Sequence, residues 1–256
     1  MKKTITAAAL LLASANAAAL PLVDFWAGGY SWNTAYEGSV SATSNGAPFD
    51  LNLDSTLGLE DSDNNVIWAA FEHPIPLLPN VQIKKTELET TGDGMISQEF
   101  TFAGQTYDAN LALDSAINLN HTDFTAYWGL PLPVVTVDFG LNVRAFDGDL
   151  AINGASSVLD APVPMLFGRV GAELPFTGLA VMAEANYIGY EGTKHMDYQV
   201  VVRYTIPAIP VLDINIEAGY RAFELDIDPT DFGGDKDDLT ADIDMSGVFF
   251  GVSMHL

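Results

Sequence analysis

Four short proline-marked segments divide this chain at intervals, and each is flanked by stretches that alternate apolar and polar residues. They are Pro74–Asn80 (PIPLLPN), Leu130–Pro133 (LPLP), Leu174–Gly178 (LPFTG) and Ile206–Pro210 (IPAIP). Longer stretches rich in Asp and Gly lie between them. Proline cannot continue a sheet ladder, so each segment marks a tight reversal. Alternation with a period of two marks half-buried strands on either side. Short turn, strand, long loop, strand is the rhythm of a transmembrane β-barrel, with tight periplasmic turns and long extracellular loops.

The alternation is cleanest beside the turns. Val135, Val137, Phe139, Leu141 and Val143 share one face, against Thr136, Asp138, Gly140, Asn142 and Arg144. Leu212, Ile214, Ile216, Ala218 and Tyr220 oppose Asp213, Asn215, Glu217, Gly219 and Arg221. Counting outward from the turns predicts strands at 22–36, 66–73, 80–90, 117–129, 134–148, 163–174, 179–190, 196–206, 211–226 and 240–256. The expected fold is therefore all-β, an up-and-down antiparallel transmembrane barrel of ten strands. Segment 94–104 reads as a hairpin extension; if it and 107–115 both span, the count becomes twelve. Residues 37–65 read as a long acidic loop carrying Asp50, Asp54, Glu60, Asp61 and Asp63. Trp26, Tyr30, Trp32, Trp68, Trp128, Tyr187, Tyr190, Tyr198, Tyr204 and Tyr220 fall mostly near strand ends, where interfacial girdles form.

The ends of the chain give an address. Lys2 and Lys3, an apolar stretch from Ile5 to Ala13, and Ala15-Asn16-Ala17 make a secretory signal peptide over 1–17, with cleavage after Ala17 or Ala19. Residues 18–256 then form one barrel domain in the outer membrane. Val248, Phe250, Val252, Met254 and Leu256 share one face of a terminal strand, as in the insertion signal read by the barrel-assembly machinery. A soluble periplasmic β-sandwich is the different-architecture alternative.

The formal net charge of −24 argues against nucleic acid as a partner. Without cysteine there is no disulfide, thiolate metal site or thiol nucleophile. The expected partners are outer-membrane lipid and lipopolysaccharide, with loosely bound divalent cations at the acidic loops. No cofactor is expected. The acidic stretch 224–244 offers Asp226, Asp228, Asp231, Asp235 and Asp237 as weak metal candidates, in a spacing that fits neither an EF-hand nor a nonapeptide calcium loop.

The polar strand faces converge on the lumen. They carry Glu72, Lys84, Asp123, Asp138, Arg144, Arg169, Glu173, Glu184, Arg203, Asp213, Glu217 and Arg221. A narrow barrel leaves little room for solvent, and buried charges need partners. Interleaved Arg and carboxylate rows are thus expected to plug the lumen; a narrow channel is the alternative. His121 and Asp123 share a strand face and read as a luminal hydrogen-bonded pair, against a catalytic or metal-holding one, with His73 and His195 placed in other elements. No nucleophile elbow, zinc-protease helix motif or phosphate loop is present. The chain is accordingly not expected to be an enzyme; the alternative is a hydrolase of omptin type.

Leu20-Pro21-Leu22, Phe25-Trp26-Ala27-Gly28-Gly29-Tyr30, Glu72 to Asn80 (EHPIPLLPN) and His121-Thr122-Asp123-Phe124-Thr125 together resemble a Gram-negative outer-membrane β-barrel family with a Gly-Gly motif near the mature N-terminus. The resemblance spans the mature chain. It implies the barrel fold and the outer-membrane address, and it carries no activity. Family members are expected to have a basic, aromatic-containing segment after the first turn; Lys84-Lys85 keeps the charge and lacks the aromatic.

Overall fold

The computed structural model describes residues 23–75, 77–159, 162–190, 193–209, 212–227 and 241–256. The expected signal peptide, and the candidates Asp228, Asp231, Asp235 and Asp237, lie outside the described residues. The strands are β1 (Asp24–Ser44), β2 (Ala47–Asn52), β3 (Ser62–Glu72), β4 (Asn80–Thr86), β5 (Glu89–Ile96), β6 (Phe100–Phe102), β7 (Gln105–Tyr107), β8 (Leu111–Gly129), β9 (Val135–Ile152), β10 (Ala155–Leu159), β11 (Pro162–Leu174), β12 (Leu179–Tyr190), β13 (Thr193–Ile209), β14 (Leu212–Ile227) and β15 (Ala241–His255).

All belong to one sheet that closes on itself, because β8 pairs with both β4 and β9 while β15 pairs with both β14 and β1. β4 and β5 follow one another along β8 and form a single stave, interrupted at Glu87-Leu88. The barrel therefore has ten antiparallel staves: β1, β3, β4–β5, β8, β9, β11, β12, β13, β14 and β15. Closure leaves no unpaired edge among them, which is the condition for a sheet to sit in hydrocarbon. Described parts of all four proline segments lie at one end, the turn end; residues 76 and 210–211 of these turns are outside the described residues.

Outside, the alternating pattern leaves an apolar belt. On β9 it runs from Val135 to Ala145 and gives way to Asp147; on β13 it runs from Ile206 to Met196 and gives way to Lys194. Ten residues at about 3.3 Å each, tilted about 40°, rise about 25 Å, the height of a bilayer-facing band. Trp128, Tyr187, Tyr204 and Tyr220 do face outward. Trp26, Tyr30, Trp32 and Trp68 do not: the same period of two places them inside, with Trp32 fully buried, so they are core and not girdle.

The long-loop end departs most from expectation. Residues 37–65 are not an open acidic loop. β1 continues to Ser44, reverses at Asn45-Gly46, and returns as β2. Asn45 and Gly46 have φ of 51° and 77°, the twist-matched hairpin geometry that asparagine and glycine tolerate. Leu51, Leu53, Leu57 and Leu59 then turn inward over the barrel mouth and are buried. The loop carrying them crosses β5 so closely that a Cβ on Gly92 would stand 2.1 Å from the Gly58 carbonyl oxygen. Segment 94–104 is extension and not membrane stave: β5 pairs with the upper part of β8, and the β6–β7 hairpin touches β1 at Thr43 and Thr101. Phe100, Phe102, Tyr107, Leu113, Ile117, Leu150 and Ile152 join the leucines in one apolar cap that fills this end.

Candidate functional site

Below the cap, every stave presents alternate residues to the lumen, and these stack in levels. The first is aromatic. Phe146 and Phe223 are buried between His121 and His195, with Phe223 4.5 Å from the His195 ring and 5.8 Å from the His121 ring. The sequence placed His195 in a separate element, and so it is, but the closed sheet brings β13 across the lumen from β8.

The second level is a ladder of ions. Arg144 meets Asp123 through two parallel hydrogen bonds of 2.8 Å and also donates to Asp197. Arg221 meets the same Asp197 through bonds of 2.9 and 2.7 Å. Two guanidiniums and two carboxylates alternate across the lumen and sum to zero charge. Planar, bidentate pairing supplies both geometry and energy, and arginine suits burial because it is weakly hydrated. Asn142 donates to Asp123 (2.9 Å), while Tyr30 and Thr86 accept from Arg221 (3.3 and 3.2 Å). Each guanidinium also lies over a ring, Arg221 over Trp32 at 4.7 Å and Arg144 over Phe223 at 5.4 Å.

The two imidazoles complete this level. Nδ1 of His121 faces the Leu119 carbonyl at 2.8 Å, and Nδ1 of His195 faces the Glu224 carbonyl at 2.7 Å. A carbonyl only accepts, so each Nδ1 carries the proton and each Nε2 is the acceptor, turned toward Arg221 and Arg144 respectively. His121, Asp123 and Asp197 bring three ligand atoms within 4.8 Å of one another. Those carboxylates are already saturated by two guanidiniums, so the cluster is an ion ladder and not a cation site.

Toward the turn end a second network follows. Glu184 pairs with Lys84 and with Arg169 (3.0 Å), and Arg169 also reaches Asp138 (3.2 Å) and Gln82 (3.0 Å). Glu72 accepts from the Tyr127 hydroxyl at 2.6 Å. Arg203 pairs with Glu217 at 2.8 Å and lies over Trp26 at 4.8 Å. Between these groups a cavity of about 160 Å³ opens at the turn end, with Trp68, Gln199 and Met182 in its wall.

Ten of the twelve expected luminal charges thus stand in ion pairs or hydrogen bonds with one another or with their neighbours. Two do not join the networks: Glu173 is exposed at the mouth, and Asp213 only approaches His255 at 4.0 Å. The sequence reading missed the central one, Asp197. Continuing the β13 alternation two residues back from Gln199 reaches it, and two more reach His195.

The carboxylates at the long-loop end are arranged differently. Glu37, Asp244 and Glu224 stand directly opposite one another across β1, β15 and β14, facing outward above the belt, with Asp242 one outward position further. Like charges opposed across strands repel. Partial burial, then Asp242, Glu224 and Glu37, raise the Asp244 carboxyl above its ordinary range, and Lys194 offsets part of this. A carboxyl raised in the fold costs stability when ionised, and the cost disappears as pH falls through its folded value. Asp244→Asn is therefore expected to raise the thermal midpoint of the barrel at neutral pH, and to raise it by less at an acidic pH within the ordinary carboxylate range. An equal effect at both pH values would contradict this.

No family model matches the chain, and no curated protein matches it. Among solved structures it is similar to the outer membrane protease OmpT from Escherichia coli, at 10% identity over 91% of this chain and 96% of that one, with a TM-score of 0.46. It is also similar to the translocator domain of autotransporter NalP from Neisseria meningitidis, at 10% identity over 91% and 88% of the two chains, with a TM-score of 0.42. A Pseudomonas aeruginosa FadL homologue follows at 8% identity, 91% and 90% coverage, and a TM-score of 0.33.

Proposed function

We propose that this chain is an integral outer-membrane barrel with a sealed lumen, serving as a structural element of the membrane and not as a conduit or an enzyme. The observation that carries this reading is the sequence of barriers inside it: a leucine-rich cap, an aromatic level, and a neutral ion ladder. A hydrated ion crossing it would have to shed its water in the cap and then displace paired guanidiniums. The apolar belt and closed sheet support membrane insertion; the export signal expected at 1–17 supports the outer membrane as its address. The turn end then faces the periplasm and the acidic end faces outward, where divalent cations bridging Glu37, Asp242 and Asp244 to lipopolysaccharide phosphates would relieve their repulsion.

Hydrolysis of omptin type would need an imidazole and carboxylate within reach of substrate. His121 and His195 are 2% and 1% exposed with both nitrogens of each engaged, while His255, beside Asp24, stands at the turn end with its ring stacked on Trp26. The test is conductance of the purified, refolded barrel in planar lipid bilayers. Insertion without steps above background is expected; a reproducible unitary conductance would overturn the sealed-lumen reading.

A further inference from the structure

The proline turns are unlike the rest of the polar surface. Residues 74–79, 130–134, 174–178 and 206–211 contain no Asp, Glu, Lys or Arg, in a chain with 34 acidic residues. Among their described residues, large apolar side chains stand exposed. Leu77 is 89% exposed and Phe176 fully so, while Ile75, Leu78, Leu130, Leu132 and Val134 are also exposed. Turns favour Gly, Pro, Asn, Asp and Ser, so the prolines here are ordinary and the large exposed apolar side chains are not.

Their backbone offers few free donors. Eight of the chain's 13 prolines are in these segments: Pro74, Pro76, Pro79, Pro131, Pro133, Pro175, Pro207 and Pro210. Each removes an N–H that would otherwise require water. The donors that remain are met internally at several points: His73 by Asn80 Oδ1 (2.9 Å), Ile75 by His73 Nδ1 (3.2 Å), Leu130 by the Val137 carbonyl (2.9 Å), and Thr177 by the Leu174 carbonyl (3.2 Å). Thr177 Oγ1 both donates to Leu174 and accepts from Leu179.

Two of the turn residues also hold bulky side chains at backbone angles that favour glycine. Val134 has φ 56° and Phe176 has φ 67°. Phe176 follows Pro175 at the position of a type II turn where glycine is preferred. A phenylalanine there gains nothing from protein packing, because none of the described residues covers it.

The surface is continuous with the belt. Leu130 and Leu132 extend the column Phe124, Ala126, Trp128; Leu174 and Phe176 extend Val170 and Ala172. We propose that the turns carrying Leu77 and Leu78, Leu130 and Leu132, and Leu174 and Phe176 form an apolar rim immersed in the headgroup region of the inner leaflet, so that phospholipid is the partner of this surface. The inference rests on the outer-membrane reading above. It places the mouth of the lower cavity at the level of the lipid headgroups and not in open periplasm.

The absence of cysteine allows single labels to test it. Leu77→Cys and Phe176→Cys on the rim, Val202→Cys in the belt and Asp54→Cys at the outer end would each carry a nitroxide. The refolded proteins would be placed in phosphatidylethanolamine and phosphatidylglycerol vesicles, with heat-dependent gel mobility as the check on folding. Relaxation by oxygen is expected to exceed relaxation by a water-soluble nickel chelate at both rim sites and at Val202, with the order reversed at Asp54. Rim labels that behave like Asp54 while Val202 stays lipid-exposed overturn the rim and leave the membrane reading intact. Water exposure at Val202 overturns the membrane reading itself. Rim labels shielded from both reagents mean that protein covers the turns, which also overturns the proposal.

Discussion

Asp197→Ala is expected to lower the unfolding free energy of the barrel by about 3–5 kcal/mol, the range for breaking a buried ion pair from one side. Asp197 is the bridge of the ladder: it takes two bonds from Arg221 and another from Arg144. Its loss leaves Arg144 with Asp123 but strips Arg221 of its carboxylate, with only the hydroxyls of Tyr30 and Thr86 and the His121 ring beside it. An uncompensated guanidinium inside a closed barrel is the source of the cost. Removing that charge as well should recover much of it. Asp197→Ala combined with Arg221→Met keeps the Asp123–Arg144 pair and restores neutrality, so the double variant is expected to be more stable than the single one. Urea unfolding in lipid vesicles, followed by tryptophan fluorescence, measures both. If the two substitutions simply added, the ladder would not be a coupled unit.

The parts of this arrangement that the sequence made legible are those governed by period two. Turns flanked by clean alternation located nearly every stave, and the polar faces named both arginines of the ladder. On β13, however, the outward apolar face ends at Met196 and gives way to Lys194, so Asp197 and His195 lie where the alternation fades. Their approach to Asp123 and His121 depends on closure of the sheet, which no local pattern contains. The cap was hidden for another reason. Leu51, Leu53, Leu57 and Leu59 recur at odd positions, a strand-like signal, but Asp50, Asp54, Glu60 and Asp61 beside them dominate the composition. The acids stand exposed at those positions, while the leucines are buried in the apolar cap. The inward Trp26, Tyr30, Trp32 and Trp68 show the same limit: nearness to a strand end suggested a girdle, whereas parity decides the face.

Phe223→Ala is expected to cost about 3–5 kcal/mol, the range for emptying a buried aromatic site. Phe223 is fully buried and holds three groups at once, lying against both imidazoles and against the Arg144 guanidinium. The ring therefore contributes burial, contact with two rings and a cation–π interaction, and it shields the ladder from above. Phe223→Leu retains most of the apolar volume and should lose less than the alanine variant. Conductance separates the energetic role of this level from closure. The cap leucines Leu51, Leu53, Leu57 and Leu59 come from β2 and the segment after it and not from β14, so Phe223→Ala is expected to be strongly destabilised yet still silent in planar bilayers. A variant that unfolds at lower urea without conducting would assign sealing to the cap and stability to the level below. Unitary currents from Phe223→Ala, with none from the native barrel, would instead make this ring the barrier.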